Sequence, residues 1–219
     1  FINPTQFNNK SDFLKYPRNN KKDLSILKKL KVDFIFIPTS KQIYDSKKSK
    51  DIKLLNSQKI MCAKYRKGHF EGVIDVMNRL TNIVKPKKIF MGEKDFQQLY
   101  LVKKFIEKKY DSKIIACKTI RDKNKIALSS RNFNLDKNGL AKASELTKEL
   151  IQFKKTLKIN KNITKIIIKK KSELIKKYKM KIEYLELRKK SNLSIANTIK
   201  NANLFFAYYI KNIRLIDNI

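Results

Sequence analysis

The feature that most constrains the fold is an alternation, in the first half of the chain, between short β-rich apolar runs and longer segments with helical periodicity. Such alternation is typical of βα units, which place parallel strands in one sheet. Val32–Pro38 is predicted to be a buried strand, and Lys88–Met91 and Ile114–Cys117 are predicted to be two more. Between the last two, apolar residues recur at helical spacing from Asp95 onward. Residues 1–118 are therefore predicted to form a Rossmann-like α/β domain.

The pattern changes after about residue 118. Two Lys-rich stretches with helical spacing, at about 137–154 and 161–178, are followed by three strand-like runs that polar turns separate. These runs are Ile182–Leu187, Leu204–Ile210 and Ile213–Ile216. Helices followed by consecutive strands are typical of an α+β arrangement. Residues 119–219 are therefore predicted to form a second, smaller α+β domain.

The net charge of +34, from 53 basic and 19 acidic residues, first indicates a nucleic-acid partner. However, arginine, whose planar fork binds bases and phosphates, occurs at only seven positions, and the other basic residues are lysines. Asn and Ile are also abundant, while Gly and Pro number four each. Because Lys, Asn and Ile have A/T-rich codons, mutational bias in an A/T-rich genome explains this composition more simply. A basic nucleic-acid-binding protein remains an alternative interpretation.

The sequence also bears on cellular location. No apolar run approaches the ~18 residues that a membrane-spanning helix needs, and no signal peptide is visible among the first residues. The first residue is Phe1 rather than Met, so we expect that the sequence begins inside a longer gene product. Cys62 and Cys117 lack the spacing of a metal site, and we expect them to be reduced thiols in a cytoplasmic protein.

The segment Gly92–Gln98 has the composition of a phosphate-binding junction between a strand and a helix. Gly92 follows a predicted strand and Asp95 begins a predicted helix, so N–H groups and the helix dipole favour an anion there. Lys94 adds a mobile cation, Asp95 could cap the helix or hold a phosphate-bound Mg²⁺, and Gln98 lies one turn later. An ordinary capped surface helix explains so short a pattern about as well.

Three other segments combine polar side chains with a suitable position. Gln6 follows a predicted strand end, where open α/β sheets bind ligands, although an Asn-Pro turn is the simpler interpretation. His69, the only histidine, precedes a helix, but a lone histidine is more often a cap or a packed side chain than a catalytic base. Ser129, Ser130 and Arg131 could bind phosphate oxygens or could form an ordinary polar turn.

The combination and order of these segments are more specific than any one of them. The sequence contains no Walker A loop, Ser-His-Asp signature or clustered Cys/His metal site. Its motifs are Asn3-Pro-Thr-Gln-Phe7, Tyr16-Pro-Arg18, Arg66-Lys-Gly-His-Phe-Glu-Gly-Val73, Gly92-Glu-Lys-Asp-Phe-Gln-Gln98, Leu128-Ser-Ser-Arg-Asn132 and Arg214-Leu-Ile-Asp-Asn218. Together they resemble the pantothenate synthetase family, in family order and across essentially the whole chain.

The resemblance implies a two-domain enzyme of the HIGH-type nucleotidyltransferase superfamily, with a Rossmann-like domain and a small C-terminal lid domain. It implies that ATP and pantoate form pantoyl adenylate and pyrophosphate, and that β-alanine then attacks the adenylate to give pantothenate and AMP. ATP, Mg²⁺, pantoate and β-alanine are thus the implied ligands. The implied enzyme is cytoplasmic, forms a homodimer through its Rossmann-like domain, and has no nucleic-acid or membrane partner.

The resemblance also assigns roles to individual residues. Gln6 and Gln98 are implied to bind pantoate, and Gln6 is implied to lie near β-alanine as well. The implied ATP-binding residues are Gly92, Glu93, Lys94, Asp95, Ile120, Leu128, Ser129, Ser130 and Arg131. Of these, Ile120 would lie at the adenine and Asp95 would assist Mg²⁺. Arg66 and His69 are implied to have supporting roles.

The chain departs from the family pattern at its start. The family's N-terminal strand and its Met-Gly-x-Leu-His-x-Gly-His motif are absent, so we expect the Rossmann-like domain to lack its first βα unit. In the family, that motif supplies the histidines that stabilise the triphosphate, including the proton donor, whereas His69 belongs to a different motif. No catalytic residue is therefore identified, and we expect a truncated chain with little or no activity.

Two further interpretations stay open beside the nucleic-acid alternative. The chain could be a related adenylate-forming enzyme with another acid substrate, although the pair Gln6 and Gln98 favours pantoate. It could also be a non-catalytic remnant that is retained as a structural partner. The missing N-terminal motif leaves this last possibility open.

Overall fold

The structure is a computed structural model that describes residues 2–7, 13–14, 16, 19–44, 52–157 and 162–219. The chain divides into two compact units. The first comprises Phe1–Ile89 and Tyr100–Ile114, and the second comprises Phe90–Leu99 and Ile115–Ile219. The second unit thus takes in a short segment from the first half of the chain. The functional division into residues 1–118 and 119–219 stays a prediction.

The first half of the chain contains a βα unit of the kind that its periodicity predicts. Before the first strand lie α1 (Asn20–Lys29), α2 (Ser40–Ile43), α3 (Met61–Tyr65) and α4 (His69–Val84). Strands β1 (Lys88–Gly92) and β2 (Lys113–Cys117) pair in a parallel sheet, and α5 (Phe96–Lys109) connects them. A parallel pair needs a long crossover connection, which is usually a helix. The predicted α/β fold class is confirmed.

Helix α4 has clear boundaries and one buried face. It begins after Gly68, whose φ of 79° lies in the left-handed region that glycine adopts at little cost. Phe70, Val73 and Ile74 are buried at the i, i+3, i+4 spacing of one helical face. The helix ends at Val84, and the N–H of the C-cap residue Lys85 donates to the carbonyl of Thr81. The next residue is a proline, which cannot continue the helix.

The prediction of a buried strand at Val32–Pro38 is wrong. No strand forms over these residues, and of their side chains only that of Pro38 is buried. Phe34 is 92% exposed, and the neighbouring apolar side chains are exposed as well. The physical reason is that a strand needs hydrogen bonds to a partner, and within the described residues no strand pairs with this segment. Apolar composition alone could not supply that partner.

The second unit ends in an antiparallel sheet that two helices precede. The helices are α6 (Lys137–Thr156) and α7 (Ile163–Tyr178), and the strands are β3 (Ile182–Lys189), β4 (Ala202–Ile210) and β5 (Ile213–Asn218). The strands pair in sequence order, with β4 in the centre. These elements confirm the two helices and three strands that were predicted after residue 118.

The core of the second unit lies between these helices and the sheet. Its most buried side chains include Leu146 on α6, Leu174 on α7 and Phe206 on β4. Helix α6 begins at a defined point because the Asp136 carboxylate accepts a hydrogen bond of 2.7 Å from the Gly139 N–H. Burying these large apolar side chains supplies most of the favourable free energy of folding.

A group of charges at Glu149 links α6 to α7. The Glu149 carboxylate accepts hydrogen bonds from Lys170 at 2.7 Å, Lys177 at 2.7 Å and the Tyr178 hydroxyl at 2.8 Å. Burial alone would raise the pKa of Glu149, but these hydrogen bonds outweigh burial and lower that pKa to about 2. The carboxylate therefore stays charged well below its ordinary titration range.

Within the described residues, no helix combines the length and the hydrophobicity that a bilayer span requires.

Candidate active site

The junction between β1 and α5 is a short 3-10 turn, Glu93–Asp95, that follows Gly92. Gly92 has a φ of −71° and a ψ of 134°, which any residue can adopt. A Cβ atom added at Gly92 would meet no atom within 4 Å. Neither the backbone conformation nor the packing of the unit therefore requires glycine here. The open space beside Gly92 allows a ligand to approach the backbone closely.

The turn presents charges of both signs at the start of α5. The Lys94 Nζ atom lies 3.6 Å from Oδ1 of Asp95. The Lys94 side chain is 18% exposed and the Asp95 side chain 48%, so the cation is the better shielded of the two. Because the N-terminus of α5 favours anions, the turn combines two features of a phosphate-binding site.

Asn218, the penultimate residue of the chain, holds the turn Glu93–Asp95 through side-chain hydrogen bonds. The Asn218 side-chain amide donates to the carbonyl oxygen of Glu93 at 2.8 Å and to that of Lys94 at 3.0 Å. Its own oxygen accepts a hydrogen bond of 2.8 Å from Asn203, and the residue is buried. In a planar trans peptide the C=O and N–H groups point in opposite directions. The N–H groups of Lys94 and Asp95 therefore face away from Asn218.

The residue before Asn218 forms a two-pronged ion pair with Arg121. Arg121 donates to the two carboxylate oxygens of Asp217 at 2.7 and 2.9 Å, and also to the carbonyl oxygen of Asn218 at 3.0 Å. Burial raises the pKa of Asp217, while the hydrogen bonds and the charge of Arg121 oppose that change. The positive charge of Lys94 also lowers the pKa of Asp217, so the turn and the ion pair interact electrostatically.

The loop Ile120–Leu128 exposes two apolar side chains. The backbone of Arg121 forms a bridge with Ala127, and the N–H of Leu128 donates to the carbonyl of Ile120 at 2.9 Å. Ile120 is 67% exposed and Leu128 is 55% exposed, whereas Ile126 between them is buried in the core. The hydrogen bond thus joins the backbones of two residues whose exposed apolar side chains could contact a flat aromatic ligand.

The segment that carries the hydroxyls of Ser129 and Ser130 follows this loop and forms a second 3-10 turn, Ser130–Asn134. The Ser129 hydroxyl accepts a hydrogen bond of 3.3 Å from the Arg131 N–H, and so caps this turn. The Asn132 side chain donates to the carbonyl of Ala127 at 3.0 Å, which ties the turn to the preceding loop. The half-buried side chains of Ser129, Ser130 and Arg131 thus lie on an ordered turn.

In the first unit, the turn that carries Gln6 is held by Asn3. Asn3 is 2% exposed, and its side chain donates to the carbonyl of Gly72 at 3.0 Å and accepts from the Tyr44 hydroxyl at 2.6 Å. A methyl group at Gly72 would lie 2.6 Å from the Thr5 carbonyl oxygen, so this close approach requires glycine. The backbone of the 3-10 turn Pro4–Gln6 is therefore fixed, while the side chain of Gln6 lies outside the described part of the structure.

His69 is a packed residue at the start of α4. It is 6% exposed, and its Nε2 atom lies 2.8 Å from Nη1 of Arg66. Because a guanidinium group only donates hydrogen bonds, Nε2 is the acceptor. Both residues belong to the first unit, as Gln6 does, whereas the other predicted site residues belong to the second.

A resident metal site is not evident from the side chains that the structure describes. Among them, no group of three or more His, Cys, Asp or Glu residues could hold a metal ion. A single exposed carboxylate, that of Asp95, does fit a Mg²⁺ ion that phosphate oxygens also bind.

Known proteins resemble this chain over its whole length. The family model described as pantoate-beta-alanine ligase matches residues 1–219. The chain belongs to the pantoate–β-alanine ligase family. A pantothenate synthetase from Flavobacterium psychrophilum is 38% identical over 229 aligned residues, which cover all of this chain and 79% of that protein. One from Clostridium botulinum is 38% identical over 224 residues, with the same coverage.

Solved ligase structures share the fold. A pantoate-beta-alanine ligase from Francisella tularensis, in complex with beta-gamma ATP and beta-alanine, superposes with a TM-score of 0.82 at 33% identity. The match covers the whole chain and 76% of that structure. A pantothenate synthetase from Thermus thermophilus gives a TM-score of 0.88 at 26% identity, over 80% of its chain. The predicted fold and family are thus confirmed, and the nucleic-acid alternative gains no support.

The sequence does not predict the residues that hold the turn Glu93–Asp95 and the loop Ile120–Leu128 of this ligase. Asp217 and Asn218 belong to the motif Arg214–Asn218, which assigns them no role, and no motif contains Arg121. The contact between Asn218 and Glu93 joins residues 125 positions apart, which no local pattern reveals. The roles of individual residues and the expected low activity stay predictions.

Proposed function

We propose that this ligase uses ATP to join pantoate to β-alanine, and that the ATP phosphates bind at the turn Glu93–Asp95. The family match over residues 1–219 carries the proposal for the reaction. The geometry of the turn supports the proposal for the site, because open space, a shielded cation and a helix N-terminus meet there.

The phosphates would contact three features of the turn. Gly92 leaves room for a phosphate oxygen beside the backbone, and the N–H groups of Lys94 and Asp95 face away from Asn218. The ammonium group of Lys94 would neutralise part of the phosphate charge, and Glu93 would contribute its backbone. Mg²⁺, when bound, would add charge neutralisation, with Asp95 as its protein ligand.

The second unit also offers a surface for the rest of the nucleotide. The exposed side chains of Ile120 and Leu128 would contact the adenine, because an aromatic base binds well against apolar groups. Ser129, Ser130 and Arg131 would bind phosphate oxygens from the capped turn that follows.

The acid and the amine would bind to side-chain amides. Gln98 lies in the first turn of α5 and is half-buried, so its amide would bind pantoate close to the phosphate site. Gln6 would bind pantoate and lie near β-alanine from the fixed turn Pro4–Gln6. Arg66 and His69 would support this arrangement as a hydrogen-bonded pair.

The reaction needs positioning and charge neutralisation rather than a covalent enzyme intermediate. A pantoate carboxylate oxygen attacks the α-phosphorus, and the bond from that phosphorus to the pyrophosphate oxygen breaks. The amine of β-alanine then attacks the pantoyl carbonyl carbon, AMP leaves, and the amine loses a proton. Lys94 and Arg131 would stabilise the negative charge that develops on the phosphates, and the amides would hold the acid in line.

We also propose a homodimer in a reducing compartment such as the cytoplasm. Exposed apolar side chains at Val32, Phe34 and Phe36 support a contact between copies of the first unit. Within the described residues neither Cys62 nor Cys117 is in a disulfide, and a reducing compartment would keep both thiols reduced. Light scattering at micromolar concentration should give twice the mass of the chain, and the mass of one chain would contradict the dimer.

Product analysis tests the proposed reaction. The chain is incubated with pantoate, β-alanine, ATP and Mg²⁺, and the products are identified by mass spectrometry. Pantothenate and AMP should form in equal amounts, at the low rate expected without the family's N-terminal histidines, and omission of pantoate should abolish both. Formation of ADP instead of AMP, or AMP formation that does not depend on pantoate, would contradict the proposal. Another hydroxy acid that replaces pantoate at equal rate would favour the alternative acid substrate.

A further inference from the structure

We infer that Asp217 and Asn218 are positioning residues, which fix the two ATP-binding segments of the ligase site in one arrangement. The inference deepens the proposed function and rests on it for the identity of the nucleotide. We call these two residues the C-terminal anchor. It holds the turn Glu93–Asp95 through Asn218 and the loop Ile120–Leu128 through Asp217 and Arg121.

The hydrogen bonds of Asn218 are not those of a helix cap. At a helix N-terminus the unsatisfied groups are N–H donors, and a capping side chain accepts from them. Asn218 does the opposite, because its amide donates to the carbonyl oxygens of Glu93 and Lys94. These bonds therefore fix the orientation of two peptide planes. Their consequence is that the N–H groups of Lys94 and Asp95 face the side on which the phosphates would bind.

The anchor amide has little freedom to adopt another arrangement. Both donor positions of the Asn218 side chain are used, and its oxygen accepts from Asn203. The residue lies at the end of β5, where it pairs with Phe205 on the central strand β4. The ring of Phe205 lies 5.6 Å from that of Phe96, the first residue of α5. The hydrogen bonds of Asn218 and the contact between Phe96 and Phe205 thus both attach the turn to the sheet.

Asp217, the other residue of the anchor, fixes the loop Ile120–Leu128, in which the side chains of Ile120 and Leu128 are exposed. Asp217 holds both nitrogen atoms of the Arg121 fork, and such paired bonds set both distance and orientation. Arg121 directly follows Ile120 and also donates to the carbonyl of Lys125 within the loop. Two adjacent residues of one strand therefore set the positions of the proposed adenine contact and of the proposed phosphate turn.

The substitution Asn218→Asp tests the anchor at nearly constant volume. A carboxylate cannot donate a hydrogen bond, and it would place a negative oxygen against two carbonyl oxygens. Hydrogen–deuterium exchange of the full chain without nucleotide should become about tenfold faster in the peptide that covers residues 93–99. The affinity for ATP, measured by calorimetry, should fall by about the same factor.

Two further variants separate positioning from general loss of stability. Tyr209→Phe is the matched control, because Tyr209 lies on β4 of the same sheet and its hydroxyl donates to Glu183 at 2.8 Å instead. It should leave both the exchange of residues 93–99 and the ATP affinity within about twofold of the parent. Asn218→Ser keeps one donor. Its exchange rate at residues 93–99 and its ATP affinity should lie between those of the parent and those of Asn218→Asp.

The exchange measurement decides the inference whether or not ATP binds. Unchanged exchange of residues 93–99 in Asn218→Asp and in Asn218→Ser would overturn it, as would an equal increase in Tyr209→Phe. If the parent chain fails to bind ATP but exchange rises locally in the two Asn218 variants, the anchor stands and the proposed nucleotide site fails. Asp217→Asn should speed exchange in residues 118–128 in the same local manner, and a uniform increase across the unit would contradict positioning.

Discussion

Two 3-10 turns in this ligase are each fixed by a buried asparagine, but in different ways. In the turn Pro4–Gln6, the asparagine is Asn3, which caps its own turn and donates to Gly72 on α4. In the turn Glu93–Asp95, the asparagine is Asn218, which comes from the far end of the chain. The first turn is therefore capped by a residue of its own segment, and contacts with Tyr44 and Gly72 also hold it. The second depends on the folding of the whole second unit, and this difference governs what mutations should do.

The largest effect is expected at Asn3. Asn3→Ala removes the acceptor of the Thr5 N–H and of the Tyr44 hydroxyl, and the donor to the Gly72 carbonyl. Because these groups are partly buried, the free energy of unfolding should fall by about 3–4 kcal/mol. Urea denaturation measures the change. Asn19→Ala, which removes an exposed cap from α1, should cost only about 1 kcal/mol and serves as the control. Equal losses would contradict a special role of the first turn.

A pH titration should show a loss of stability in the second unit that does not depend on the turn Glu93–Asp95. The pKa of Glu149 is about 2 in the folded protein, against an ordinary value of 4.5. Its contribution to stability is therefore complete above pH 4.5 and is lost as the pH falls toward 2, by about 3 kcal/mol. Glu149→Gln should remove this part of the acid dependence.

Denaturation of the parent and of Glu149→Gln at a series of pH values tests the prediction. Identical slopes between pH 4.5 and 2 would show that Glu149 does not contribute. Because Glu149 contacts α7 rather than the turn, the substitution should leave local hydrogen exchange at residues 93–99 unchanged relative to the rest of the unit.

A pair of glycine substitutions sharpens the contrast between the turns. Gly72→Ala would force the helix and the first turn apart, because the new methyl group meets the Thr5 carbonyl at 2.6 Å, and it should cost about 2 kcal/mol. Gly92→Ala meets open space in an allowed conformation, so it should change stability by less than about 0.5 kcal/mol. Thermal denaturation compares the two. If Gly92→Ala loses as much stability as Gly72→Ala, the predicted difference between the two turns is contradicted.

The same contrast explains how much the sequence could predict. The sequence predicts the junction at Gly92 because a strand end, a glycine, a lysine and a helix start are adjacent in the chain. The three strands of the second unit were found because polar turns separate their apolar runs. The prediction of a strand at Val32–Pro38 is wrong. The apolar run indicates which side chains could be buried, but it does not indicate which strand would pair with them.

The long-range contacts could not be predicted at all. Arg121 and Asp217 are 96 residues apart, and neither has a neighbour in sequence that indicates the ion pair. The same holds for Asn218 and the turn that it fixes. Gly72 was visible as part of a motif, but its physical reason, the close approach of Thr5, appears only in the fold. A sequence indicates local junctions well, and the residues that hold them together less well.

Titration of the chain with ATP, in the presence of Mg²⁺ and by calorimetry, tests the central claim most directly. The claim is that the turn Glu93–Asp95 binds the phosphates. Lys94→Gln should weaken binding at least about tenfold, or about 1.4 kcal/mol. Lys88→Gln makes the same change in charge at the exposed start of β1 and should leave the affinity unchanged within about twofold. Equal affinities for the parent and Lys94→Gln, or equal losses in both variants, would contradict the claim.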